Sequence, residues 1–125
     1  MILSTKAQKI YDAISDRTKL GDLRNIAKEI KKDHPLAKEL WSTGKLFPRL
    51  LSILIMDNKE LSFDIIQNLF NDIQQHEYNE RIQLADWLMA NQLTKNKKTI
   101  ELIESWENNP SAIQRRMFWY YQGRA

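Results

Sequence analysis

The sequence has no cysteine, two histidines, three glycines and three prolines. Each shortage closes off a class of explanation. Without thiols there are no disulfides, no thiolate metal sites and no cysteine nucleophile. His34 and His76 lie far apart in the chain, which argues against a zinc site, so no metal is expected. The glycines stand singly at 21, 44 and 123, so there is no glycine-rich phosphate loop. No serine sits in a nucleophile-elbow context. No apolar run approaches the roughly 20 residues needed to span a bilayer. The opening MILSTKAQKIYD lacks the layout of a signal peptide. A cytoplasmic protein that makes no membrane contact is expected. Runs of alternating β-branched residues are also missing, and strands are not expected.

What remains reads as helix. The 125 residues suffice for one domain with a modest core, and 42% hydrophobic with 28% charged residues is ordinary for a globular chain. Apolar spacing predicts about eight short helices near 3–16, 21–32, 35–43, 46–56, 59–74, 78–93, 97–107 and 110–122. Leu23, Ile26, Ala27 and Ile30 form one stripe; Leu61, Ile65, Ile66, Leu69, Phe70 and Ile73 form another. Asp33-His34-Pro35, Ser42-Thr43-Gly44 and Asn108-Asn109-Pro110 punctuate the pattern, with Pro at first-turn positions. Asp57-Asn58 is expected to cap the fifth helix, with Glu60 in its first turn. Short connections make neighbours antiparallel.

From residue 35 the helices pair as 35–56, 59–93 and 97–122, a weak repeat that suits a HEAT-like stack. The expected fold is therefore all-α, a HEAT-like helical-repeat solenoid over 1–125; a closed helical bundle is the competing architecture. In a stack the second helices line a concave surface, which puts Asp86 and Arg116 on neighbouring helices of one layer. The last helix holds Met117-Phe118-Trp119-Tyr120-Tyr121, the most aromatic stretch. Either it pairs with another surface, including a second copy of the chain, or the chain is the N-terminal part of a longer protein; the second is the expectation.

Charge is unevenly placed. Residues 1–50 have a balance of +5, residues 51–93 of −5, and residues 94–125 of +3. Two basic blocks flanking an acidic one permit polyanion binding, although such runs are more often solvated helix faces. Arg24, Lys28, Lys31 and Lys32 follow helical spacing beside the second helix's stripe. Lys95, Lys97 and Lys98 cluster near a helix start, followed by Arg115, Arg116 and Arg124. Phosphates are bound by such groups. Trp41, Trp87 and Trp106 fall at core spacings.

Asp86 stands among Ile82, Leu84, Ala85, Trp87, Leu88 and Met89. A carboxylate there needs an arginine or several donors to keep its charge. Arg115 or Arg116 could supply it. Two readings stay open: an Asp–Arg bridge that orients two helices, or a chemical centre.

Three segments carry a resemblance: LRNIAKEIKKDHPLAKELWSTG (23–44), RIQLADWLMANQL (81–93) and SWENNPSAIQRRMFWYYQGRA (105–125). Together, and in order, they resemble the DNA alkylation repair enzymes of the AlkD-like type, alkylpurine DNA glycosylases built from HEAT-like repeats. The resemblance implies a basic concave surface that grips duplex DNA. It implies hydrolysis of the glycosidic bond of N3- or N7-alkylated purines, with no metal or organic cofactor. By position it makes Asp86 the catalytic carboxylate and Arg116, after W-x-x-x-P-S-x-x-Q-R, the DNA-contacting arginine, with Arg115 beside it. Members are longer than this chain, which fits the abrupt aromatic end. The family pattern often has Trp a turn before the acid; Ile82 stands there. KLFPRLL (45–51) also departs from the pattern, and these departures weigh against activity in this chain by itself. The alternative is a non-catalytic HEAT-like scaffold that binds DNA or a protein.

Overall fold

The computed structural model describes residues 2–14 and 18–124. Among these the chain is all-helical, with eight α-helices and two short 3-10 turns and no strand, consistent with an all-α helical-repeat fold. It divides into two compact units, Met1–Glu60 and Leu61–Ala125. No helix is long and apolar enough to cross a membrane among the described residues.

The first unit holds α1 (Thr5–Ala13), α2 (Leu20–Ile30), α3 (His34–Trp41) and α4 (Leu46–Ile55). The first helix, predicted to run to 16, ends at Ala13, with Ile14 already extended; residues 15–16 lie outside the described residues. Helix α4 packs on α3 and α2, and α1 packs on α3. Leu23, Leu36, Leu40, Leu50, Leu51, Ile53 and Ile55 are fully buried or nearly so. The turn between α3 and α4 passes through Gly44 at φ +73°, a conformation that a side chain would strain. The buried Ser52 hydroxyl donates to the Ala37 carbonyl at 2.6 Å, so its burial costs no unmade hydrogen bond. Arg49 is buried with Nε donating to the Trp41 carbonyl at 2.9 Å and its guanidinium 4.7 Å from that indole. Trp41 is thus a core residue, as its spacing suggests.

Asp33 begins α3. Its carboxylate accepts from the Leu36 N–H at 3.1 Å and from Lys6 Nζ at 3.0 Å. The Lys6 ammonium foremost, then the Leu36 N–H, hold this carboxyl below the usual carboxylate range, against a smaller opposing effect of burial. The next residue, His34, accepts the Asp57 N–H on Nδ1 at 3.2 Å.

The second unit holds α5 (Phe63–Ile73), α6 (Tyr78–Asn91), α7 (Lys97–Glu104) and α8 (Ala112–Arg124). α5 packs on α6, α6 on α8, and α7 on α8. Ile66, Phe70, Ile73, Leu84, Leu88, Met89, Leu93, Ile103 and Met117 are buried, and Phe70 meets Trp106 edge to face at 5.2 Å. Of the predicted α5 stripe, Ile65 alone is exposed.

Several boundaries differ from expectation: α1 is shorter at its start, α7 ends at Glu104 and not 107, and the starts of α5 and α8 show why such ends shift. α5 starts at Phe63, not 59: the Ser62 hydroxyl accepts from the Ile65 N–H at 3.2 Å, whereas Asp57 accepts from Lys59 N–H and caps only a 3-10 turn. α8 starts at Ala112, with Pro110 outside it. The Ser111 hydroxyl accepts from the Gln114 N–H at 3.4 Å and takes the capping role. In both places a serine just ahead of the apolar face supplies the acceptor. The aromatic stretch also does not form one exposed band. Met117 and Phe118 are buried, Tyr120 and Tyr121 half-buried, and Trp119 is 60% exposed.

Candidate functional site

On α6, Leu84, Ala85, Leu88 and Met89 form the buried face. Ile82, Asp86 and Trp87 lie half-buried at its margins. Successive helical residues turn by about 100°, which moves Asp86 off the buried arc although its sequence neighbours are apolar. The acid therefore stays 30% exposed. Trp87 falls short of the full burial its spacing suggests, whereas Trp106 is buried.

Across the α6–α8 contact, Arg116 Nη1 donates to Asp86 Oδ1 at 2.5 Å. Arg116 is 36% exposed, and its guanidinium lies 5.6 Å from the ring centre of Tyr120, one turn further along α8. Spacing alone admits either Arg115 or Arg116 as the partner. Arg115 instead folds back on its own helix start, where Nη1 donates to the Asn109 carbonyl at 2.6 Å and the Pro110 carbonyl at 3.1 Å. The two neighbouring side chains point in different directions, and of the pair only Arg116 reaches across to α6.

Beside the pair, α8 is fastened to α5. Gln114 and Gln67 exchange two amide hydrogen bonds, at 3.0 and 3.3 Å, and the Gln74 amide donates to Ser111 Oγ at 3.1 Å. The sequence assigns no contact to Gln114 or Gln67, and Tyr120 stands out only as part of the aromatic stretch. Only the i,i+4 spacing of Arg116 and Tyr120 is a readable signal; the glutamine pair joins residues 47 apart.

Lys95, Lys97 and Lys98 are exposed around the 3-10 turn and first turn of α7, in the same unit as Asp86. Their ammonium groups make no ion pair among the described residues. The Asn96 side chain accepts from the Lys98 N–H at 2.9 Å and caps α7. Arg24 and Lys28 lie four residues apart on α2 of the first unit, and both are exposed. The predicted stripe stops there: Lys31 ends α2 at φ +65°, and Lys32 lies 3.8 Å from Asp57 beyond the helix. Both histidines are engaged locally, His34 as above and His76 with Nδ1 2.7 Å from Glu80 Oε1. No cluster of three His, Asp or Glu side chains suited to a metal occurs among the described residues.

A partly exposed carboxylate beside a guanidinium can stabilise a developing cation and hold an anion. Neither the curated proteins nor the solved structures contain a match to the chain. The profile described as DNA alkylation repair enzyme does match, over residues 18–124. That span includes Asp86 and Arg116 together with every lysine and arginine named above except Lys6, and by this match the chain belongs to the DNA alkylation repair enzyme family.

Proposed function

We propose that the chain binds duplex DNA and serves the hydrolysis of the glycosidic bond of N3- or N7-alkylated purines. Family membership supports the DNA alkylation repair setting. The observation that carries the site is the half-exposed contact of Asp86 with Arg116. In this reading the C1′–N bond breaks with its electron pair leaving on the base. An alkylated purine is cationic and departs neutral. The deoxyribose is left with oxocarbenium character, and Asp86 stabilises that charge and orients the attacking water. Water adds to C1′ and gives its proton to solvent. Arg116 holds a backbone phosphate, and Lys95, Lys97, Lys98, Arg24 and Lys28 add phosphate contacts. Arg115, occupied with carbonyls of its own helix start, contributes less.

Release of 7-methylguanine or 3-methyladenine from methylated DNA tests this reading. Wild type is expected to release the base, and Asp86→Asn to be slower by about 10²-fold or more, the usual scale for losing one electrostatic stabiliser. Equal release by both removes Asp86 from the mechanism.

One observation favours a second reading. Asp86 is already paired, as a helix-orienting bridge would be. A non-catalytic scaffold that binds DNA or a protein would keep the pair and release no base. For self-association, segment 117–121 offers chiefly Trp119; sedimentation of wild type against Trp119→Ser across a concentration series tests it.

A further inference from the structure

Arg116 and Asp86 meet end-on. Among the described residues, Nη1 is the one guanidinium donor engaged by protein, and the second carboxylate oxygen of Asp86 has no protein partner. The contact is therefore a single hydrogen bond between groups each about one-third exposed. Such pairs are cheap to exchange. While it persists, the guanidinium offsets the charge of the carboxylate that the proposed chemistry needs. Tyr120 lies near the cation on the same helix, so the guanidinium can leave Asp86 and keep its aromatic neighbour.

We propose that the DNA backbone itself opens this site: a phosphate takes the Arg116 guanidinium from Asp86, and the carboxylate's charge becomes available to the sugar only when the backbone is gripped. This rests on the reading of the α6–α8 pair as DNA-facing. A backbone phosphodiester presents two non-bridging oxygens, sharing one negative charge, in a geometry that fits the guanidinium fork, whereas Asp86 engages one nitrogen. The exchange thus raises the number of bonds to the arginine. Without DNA the acid is masked by its own neighbour, and grip and chemistry are coupled through one side chain.

A double-mutant cycle on binding tests it, using a short unmodified duplex at low salt. Wild type, Asp86→Asn, Arg116→Gln and the double variant are compared. Asp86→Asn frees the arginine in advance. Its gain in affinity should be about 2–5-fold larger in the wild-type background than in the Arg116→Gln background, the scale of an exposed ion pair. An equal gain in both backgrounds means that only a negative charge was removed, and overturns the switch. Should a variant melt early, the Asp86 carboxyl carbon signal in the wild-type protein decides. On adding duplex it should shift as the arginine leaves; an unmoved signal at saturation overturns the proposal. Failure of wild type to bind any duplex overturns the DNA reading and the switch together, whereas binding without coupling overturns the switch alone.

Discussion

The side-chain amides of Gln67 and Gln114 each donate to the other's oxygen, between α5 and α8, and Gln114 is 1% exposed. The arrangement is self-complementary: each amide brings one donor and one acceptor. Gln114→Glu removes a donor and sets two acceptors face to face with a buried charge. The expected cost is about 2–4 kcal/mol at neutral pH. Burial disfavours the charged carboxyl, so the folded variant takes up its proton at higher pH than the unfolded chain does. The deficit is therefore full at neutral pH and shrinks on acidification. Urea melts at neutral pH and near the ordinary Glu value of about 4.3 check both halves.

Asp33 has the opposite pH signature. Its folded carboxyl titrates below the unfolded value of about 3.9, chiefly because of Lys6. Its contribution is present above that unfolded value and is lost as pH falls through the folded one. Asp33→Ala should cost about 1 kcal/mol at neutral pH, as for other lost helix caps, and the gap to wild type should narrow in acid. A series of thermal melts from neutral to acid pH would expose a gap that stays constant, which this account forbids.

Asp86→Ala should cost less than about 1 kcal/mol, because the pair it breaks is half exposed. A loss of several kcal/mol in chemical denaturation would mean that Arg116 is stranded in a dry setting, and the bridge reading would then win.

Salt dependence separates the two adjacent arginines. Arg116→Gln should reduce the slope of log affinity against log salt by about one, as for a lost phosphate contact. Arg115→Gln should leave the slope nearly unchanged and lower the melting temperature instead, since it frees the Asn109 and Pro110 carbonyls. Fluorescence anisotropy with one labelled duplex at several salt concentrations gives both slopes.

Much of this architecture is legible from residue spacing. Spacing predicts about eight helices and eight occur among the described residues, because glycine, proline and capping residues interrupt the 3.6-residue pattern at the right places. Helix starts are less legible. Asp57 and Ser62 are both competent caps, and the choice between them is made by packing that a local pattern does not contain. The Asp86 anomaly is visible as an acid amid apolar letters. Its partner narrows only to Arg115 or Arg116, because the exact rotation of α8 decides between them. The Gln67–Gln114 pair is invisible, since two glutamines far apart in the chain carry no sign that they will meet.

The arginine doublet makes the spacing between Pro110 and Arg115 a functional quantity. Inserting one residue there would advance every later side chain by about 100°, bringing Arg115 to the place that faces α6 and driving Arg116 into the buried position of Met117. The loop length ahead of α8 is in this sense an indexing element: it chooses which of two identical side chains faces the acid. A tolerated insertion at that point would show that Arg115 can take the bridging place.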